Sequence, residues 1–374
     1  MQFSCNQDTF AQYLNIVSRI VSSKPGLPIL NNILIEASNG KVKLISTDLE
    51  IGINTWIGAD VKSEGSVTIP AKQLSEFVNS IPNEKVDVSL EKQLLSVSTV
   101  NNSAEFHTIA SDDYPNVVSI VDEKPLFKIP VEDILKAVQR VAFAAAGDDI
   151  KPVLTGIKIE ISGNMASFVA ADGLRLSKQN IKLKETLEND LSILVPVKAM
   201  QELAFVVNEV KGEDDKVEVF VIEDRNQVVF RFKEVDIVSR LIDGQYPEYK
   251  QIIPTGYKTL SEVSRSEFVS ALKITNIIAR TVLGNKIILD ISTKDSNITM
   301  SATQTDVGSN KSVFEGRVEG NDLKIAFSAR FLGDMLNNLD KDELVFEASE
   351  SVKAGVFKIK GDDDFIHLIM PMML

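Results

Sequence analysis

The sequence has one cysteine, Cys5, and two histidines, His107 and His367, in 374 residues. A single thiol excludes a disulfide framework and a thiolate metal site. Two histidines far apart in the chain give poor support to zinc or thiol-imidazole chemistry. There is no glycine-rich phosphate loop of the nucleotide-binding kinds. No metal, no cofactor and no catalytic residue is expected. Aromatic residues make up only 6% of the chain, which weakens stacking on a single strand as a binding mode. No apolar run approaches the ~18 residues needed to span a membrane. The start, Met1-Gln2-Phe3-Ser4-Cys5-Asn6, lacks the charged and apolar parts of a signal peptide. The simplest expected location is the cytoplasm. Basic charge is also short, with 40 Lys and Arg against 53 Asp and Glu for a formal charge of −13. Bulk charge therefore argues against coating nucleic acid and leaves room only for a local basic face.

What the chain does have is repetition. Ser66-Val67-Thr68-Ile69-Pro70-Ala71-Lys72-Gln73-Leu74, Ser192-Ile193-Leu194-Val195-Pro196-Val197-Lys198-Ala199-Met200 and Leu323-Lys324-Ile325-Ala326-Phe327-Ser328-Ala329-Arg330-Phe331-Leu332 are three versions of one motif. Each is an apolar strand, then Pro or Ser at a helix start, then a cation two residues on. The copies lie about 130 residues apart, the size of a whole domain and not the roughly 20–50 residues of a solenoid repeat. Three similar domains in tandem are expected, over residues 1–121, 128–247 and 254–374. The joints between them fall near residues 121–125 and 253–256.

Each copy opens with a strand and an amphipathic helix. Phe10, Leu14, Val17 and Val21 mark the first helix, Ile134, Leu135, Val138, Val141 and Ala142 the second, and Phe268, Leu272 and Ile278 the third. These are helical spacings with one buried face. Strict alternation follows in runs such as Val86-Asp87-Val88-Ser89-Leu90 and Val228-Val229-Phe230-Arg231-Phe232, which read as strands. The expected class is α+β, with two helices per domain on antiparallel sheet. Asp48 and Asp172 sit in turn settings where a carboxylate bonds backbone more readily than it serves as a catalytic acid.

Lys72, Lys198 and Arg330 occupy one repeated position in the first turn of a helix, where a cation opposes the helix dipole. Arg19, Lys136, Arg140, Lys273 and Arg280 stand on the first helices of the copies, and Lys24 follows shortly after one of them. One reading is a solvated helix face with snorkelling side chains. The other is a shared helical face that meets phosphates without reading bases. An adhesive tandem-domain protein would explain the repeats but not these repeated cations.

Four further motifs carry a resemblance. They are Leu27-Pro28-Ile29-Leu30 with Thr47-Asp48-Leu49-Glu50, Ala171-Asp172-Gly173-Leu174-Arg175-Leu176, Asp243-Gly244-Gln245-Tyr246-Pro247-Glu248-Tyr249, and Met370-Pro371-Met372-Met373-Leu374. In this order, along the whole chain, they resemble the bacterial DNA sliding clamp, the beta subunit of the replicative DNA polymerase III holoenzyme. The resemblance implies a head-to-tail homodimer that closes as a ring of six domains, with helices lining the hole. It implies a non-catalytic processivity factor around double-stranded DNA, with the replicative polymerase and the clamp loader among its partners.

Those partners would insert a short linear peptide into an apolar pocket. The matching positions are Lys151, Val153, Leu154, Ala171, Gly173, Leu174, Arg175, Leu176, Pro247, Ile252, Ile369, Met370, Pro371, Met372 and Leu374. Methionine suits a pocket that takes varied partners. The family usually has Thr at Ala171, His or Tyr at Leu174 and an aromatic residue at Val153, so a more apolar pocket is expected here. For DNA the implied contacts are Lys24, Lys72, Asp148, Pro152 and Val153, joined by the repeated cations Lys136, Arg140, Lys198, Lys273 and Arg330. For the dimer, Phe106 is expected against Ile277 and Ile278 of the other subunit.

Overall fold

A computed structural model describes the chain except residues 22–26, 149, 211, 213 and 214. Among the described residues there are six α-helices: α1 Gln7–Ser18, α2 Ala71–Ser80, α3 Val131–Val141, α4 Val197–Val210, α5 Arg265–Ala279 and α6 Ala329–Asn337. They alternate with antiparallel strands in the expected α+β order. None of them is long and apolar enough to cross a membrane.

The chain divides into two compact units, residues 1–131 with 201–241, and residues 132–200 with 242–374. The middle repeat contributes to both, and the sheets explain why. In the first unit an eight-stranded sheet runs Phe127–Pro130, Lys216–Ile222, Gln227–Phe232, Val235–Arg240, Ile51–Gly58, Lys41–Thr47, Asn32–Ser38 and Gly65–Pro70. The strand Val235–Arg240 of the middle repeat pairs directly with Ile51–Gly58 of the first, Ile237 opposite Ile53. In the second unit a twelve-stranded sheet joins Arg175–Lys182 to Asp362–Ile369, Leu176 opposite Leu368. Backbone pairing thus passes from one repeat to the next, which leaves no unpaired sheet edge at either junction.

Local sequence accounts for the helix starts. Ser264 accepts a hydrogen bond from the Glu267 amide at 3.3 Å ahead of α5, an N-cap with the acidic residue at the third helical position. Glu132 and Asp133 in the first turn of α3 and Arg140 in its last complement the helix dipole. The turns at Asp48 and Asp172 are alike. Asp48 Oδ1 accepts from the Glu50 and Ile51 amides at 3.1 and 2.8 Å, and Asp172 Oδ1 from the Leu174 and Arg175 amides at 2.9 and 3.0 Å. Both acids are turn formers, as their setting implies. The core of the C-terminal repeat gathers Phe268, Phe327, Phe346 and Phe357 under α5 and α6, and Phe346 and Phe357 lie 4.9 Å apart between centroids.

Candidate functional site

A cavity of about 420 Å³ opens in the second unit beside the start of α6. Leu174, Met370, Pro371 and Met372, all expected from sequence, line it. Backbone bonds fix these walls: the Met370 amide donates to the Leu174 carbonyl and the Met372 amide to the Ala326 carbonyl, each at 2.8 Å. Gly173 takes φ +92° in the turn that presents Leu174, a conformation that favours glycine. The other walls were not foreseen as such: Phe331, Ser328 and Arg330 from the third motif copy, and Gly284 and Asn285 from the turn after α5. The motif was legible as a repeat, but nothing local says that the turn at residues 283–285 comes alongside it. Gly284 takes φ +72°, a conformation that favours glycine, and a Cβ there would lie 2.6 Å from Met372 Cε, so that side chain would have to shift.

Arg175 belongs to this site through Phe331. Its Nε meets Asp172 at 3.0 Å, its Nη1 meets Asp334 at 2.6 Å, and its guanidinium lies 4.5 Å from the Phe331 ring centre. Two carboxylates and a ring hold a mostly buried cation that fixes the pocket floor. Four expected pocket residues, Leu154, Ala171, Leu176 and Ile369, are buried, and none of them lines the cavity. Ala171 and Val153 join Leu154, Tyr246 and Tyr249 in a neighbouring apolar cluster. Lys151, Pro247, Ile252 and Leu374 are exposed, as are Asp148 and Pro152.

The expected DNA cations fall into different situations. Lys72, Lys198, Lys273 and Arg330 are exposed, and Lys72 approaches Glu76 at 3.9 Å. Lys24 lies outside the described residues. Lys136 is partly exposed and pairs with Asp362 at 3.3 Å. Arg140 corrects the expectation: its side chain is 1% exposed, with Nη1 2.8 Å from Asp362 and 2.9 Å from Gln179 Oε1, and Nη2 2.5 Å from Asp340. A guanidinium so enclosed cannot meet a phosphate without breaking two ion pairs. Arg19 is similarly engaged by Glu202, at 2.5 Å, and lies over the Phe205 ring at 3.7 Å.

The acids around Arg140 show the balance of forces. Burial pushes the carboxyls of Asp340 and Asp362 up, but hydrogen bonds and charge from Arg140, with Lys136 at Asp362, hold both below the usual carboxylate range. Nearby His367 is fully buried on the strand leading to Met370. Among the described residues neither ring nitrogen has a hydrogen-bond partner, and burial, reinforced by the Arg175 charge, pushes its pKa down to about 3. The expected dimer residues also differ from one another. Phe106 lies on the Ser103–His107 strand at a sheet edge, against the Phe77 ring at 5.9 Å. Ile277 is 57% exposed, whereas Ile278 packs partly against the C-terminal core. Among the described residues no cluster of His, Cys, Asp and Glu could hold a metal ion.

Tandem strand–helix repeats on shared antiparallel sheets define a clamp-type fold. The chain matches the family descriptions "DNA polymerase III beta subunit" for the N-terminal domain over residues 1–118, the central domain over 128–248 and the C-terminal domain over 250–373. It is 28% identical over 379 residues to the beta sliding clamp of Synechococcus elongatus, with the whole of both chains covered. It is 29% identical over 383 residues to that of Staphylococcus aureus, covering 100% of this chain and 99% of the relative. The DNA polymerase sliding clamp of Bacillus subtilis superposes with a TM-score of 0.94 at 24% identity, covering 100% and 99%. The chain belongs to the DNA polymerase III beta-subunit family, the sliding clamps. Its role is that of a processivity factor in DNA replication, without catalysis of its own. As a member of that family it has DNA and polymerase as partners.

Proposed function

We propose that two copies of this chain close head to tail into a ring around double-stranded DNA, in the cytoplasm, with the three domains of each copy spanning residues 1–121, 128–247 and 254–374. The ring is a topological tether: a polymerase held to it stays at a high effective concentration at the primer end. The exposed cations Lys72, Lys198 and Lys273, with Lys136 partly exposed, supply sequence-independent attraction to phosphates, which weakens with salt. The otherwise acidic chain, at −13 overall, would repel DNA away from these cations. The turn at Asp148, Pro152 and Val153, and Lys24, complete the DNA contact in this reading. Phe106 at a sheet edge and exposed Ile277 supply apolar surface that a second subunit would cover.

Partner proteins dock through a short peptide whose apolar side chains enter the cavity beside Leu174 and Phe331. The observation that carries this is the cavity itself, of about 420 Å³, walled by Leu174, Phe331, Met370, Pro371 and Met372. That volume suits a few side chains of a linear peptide. Calorimetry with a peptide of the form Gln-Leu-x-Leu-Phe tests it. Met372→Ala with Leu374→Ala should weaken binding about tenfold, or roughly 1.4 kcal/mol, while sedimentation still reports the dimer. Unchanged affinity would remove the pocket assignment. Electron microscopy of six-lobed rings would test the closure independently, and compact particles without a hole would contradict it.

A further inference from the structure

We propose that this pocket reads charge as well as shape, and that Arg330 and Ser328 select partner peptides carrying an acidic side chain beside the apolar anchor. This rests on reading the cavity as the partner-peptide pocket. Apolar walls alone fix neither the direction nor the sign of a ligand. One corner of the cavity is different. Arg330 is exposed there, with its guanidinium 5.0 Å from the centre of the Phe331 ring. Its natural helical partner is Asp334, four residues on, a spacing that brings side chains together on one face. Asp334 is instead taken by Arg175 at 2.6 Å. Among the described residues Arg330 makes no ion pair.

The surroundings of Arg330 add positive potential. It stands in the first turn of α6, at the positive end of the helix dipole, and no acidic residue occupies that turn. Ser328 precedes the helix, lines the same cavity and is only 8% exposed. Its side chain makes no capping hydrogen bond, and among the described residues it has no other hydrogen-bond partner, so its hydroxyl is open to the cavity. The contrast with α5 is direct, because there Ser264 accepts from the Glu267 amide and bonds Asp342 at 2.9 Å. An incoming carboxylate would satisfy the Ser328 hydroxyl and pair with Arg330 together, at the end of a helix suited to anions. Arg330 therefore serves the partner site in place of the DNA contact expected from its repeated position.

The test uses the full-length protein and end-capped peptides of the form Gln-Leu-x-Leu-Phe, whose caps remove terminal charge. Three Asp/Asn pairs are compared by calorimetry, with the variable residue at x, immediately before the five, or immediately after. At least one Asp form should bind about three- to tenfold tighter than its Asn counterpart at low salt, and the ratio should shrink as salt is raised. Arg330→Gln should bring that ratio close to one, Arg330→Lys should keep part of it, and Ser328→Ala should reduce it. The proposal is overturned by equal affinities in all three pairs, or by a preference that survives Arg330→Gln. Tight binding with no Asp preference sinks the charge reading alone. Failure of every peptide to bind the unaltered protein sinks the pocket reading and this proposal with it.

Discussion

Arg140 and Arg330 are two arginines on the helices of one unit, and sequence offered the same role for both. Arg140 ends α3 and is enclosed by Asp340, Asp362 and Gln179. Arg330 begins α6 and stays open at a cavity, lying over a ring. Position on a helix does not set the role of a cation. What sets it is which carboxylates other strands and turns bring within reach. The acids that enclose Arg140 lie 200 and 222 residues away in sequence, and the acid that Arg330 could have used is diverted to Arg175.

The largest effect should come from breaking the enclosed site. Arg140→Met removes a buried guanidinium and leaves Asp362 with only Lys136 as an ion-pair partner, so urea unfolding should show a loss of about 3 kcal/mol. The sign with pH follows from the carboxyls. Asp340 and Asp362 have folded pKa values held below their ordinary one. Their stabilisation is present above the ordinary carboxylate pKa and lost as pH falls through the depressed values. Arg140→Met should therefore lose less on acidification than the unaltered protein. A loss under about 0.5 kcal/mol at pH 7, the scale of an exposed pair, would erase the contrast between the two arginines.

His367 sharpens the contrast from the other side, because it is a buried basic group with no hydrogen-bond partner among the described residues. Its folded pKa, about 3, lies below the ordinary 6.5. The unfolded chain binds a proton that the folded chain refuses, so stability falls as pH drops from 6.5 toward 3. His367→Leu should be close to neutral at pH 7. At pH 4.5 it should be more stable than the unaltered protein by about 2–3 kcal/mol. Equal acid sensitivity of the two proteins would mean that the ring is not held neutral.

The smallest effect concerns the open site. Gly284 takes φ +72° and faces Met372. Gly284→Ala should cost about 1 kcal/mol from the left-handed backbone. It should also displace the Met372 side chain and weaken peptide binding in calorimetry. Unchanged peptide affinity would show that this wall of the cavity does not meet the ligand.

These sites also show how far the sequence could be read. The triplicated motif, the helical and alternating spacings, and the Asx turns at Asp48 and Asp172 depend on neighbours within a few residues, and the structure reproduces them, except that α1 ends at Ser18, short of Val21, and α3 at Val141, short of Ala142. The pairing of Val235–Arg240 with Ile51–Gly58 and of Arg175–Lys182 with Asp362–Ile369 depends on segments far apart, so no local signal announces it. Leu174 and residues 370–372 were legible through the resemblance. Phe331 and Gly284 were not, because their approach to Met372 is set by packing across the unit. For the same reason Leu176 and Ile369, placed opposite neighbours in a sheet, turned out to be buried and not to line the cavity.

In the proposed function the protein holds DNA by encircling it, with cations that attract without reading sequence. The direct measurement is retention on nicked circular DNA after loading, at rising salt, before and after the circle is cut to a linear form. The protein should stay on the circle through salt that abolishes ordinary phosphate binding, and leave once the DNA has ends. Equal loss from circular and linear DNA at the same salt would contradict it, and would mean that surface charge alone holds the protein.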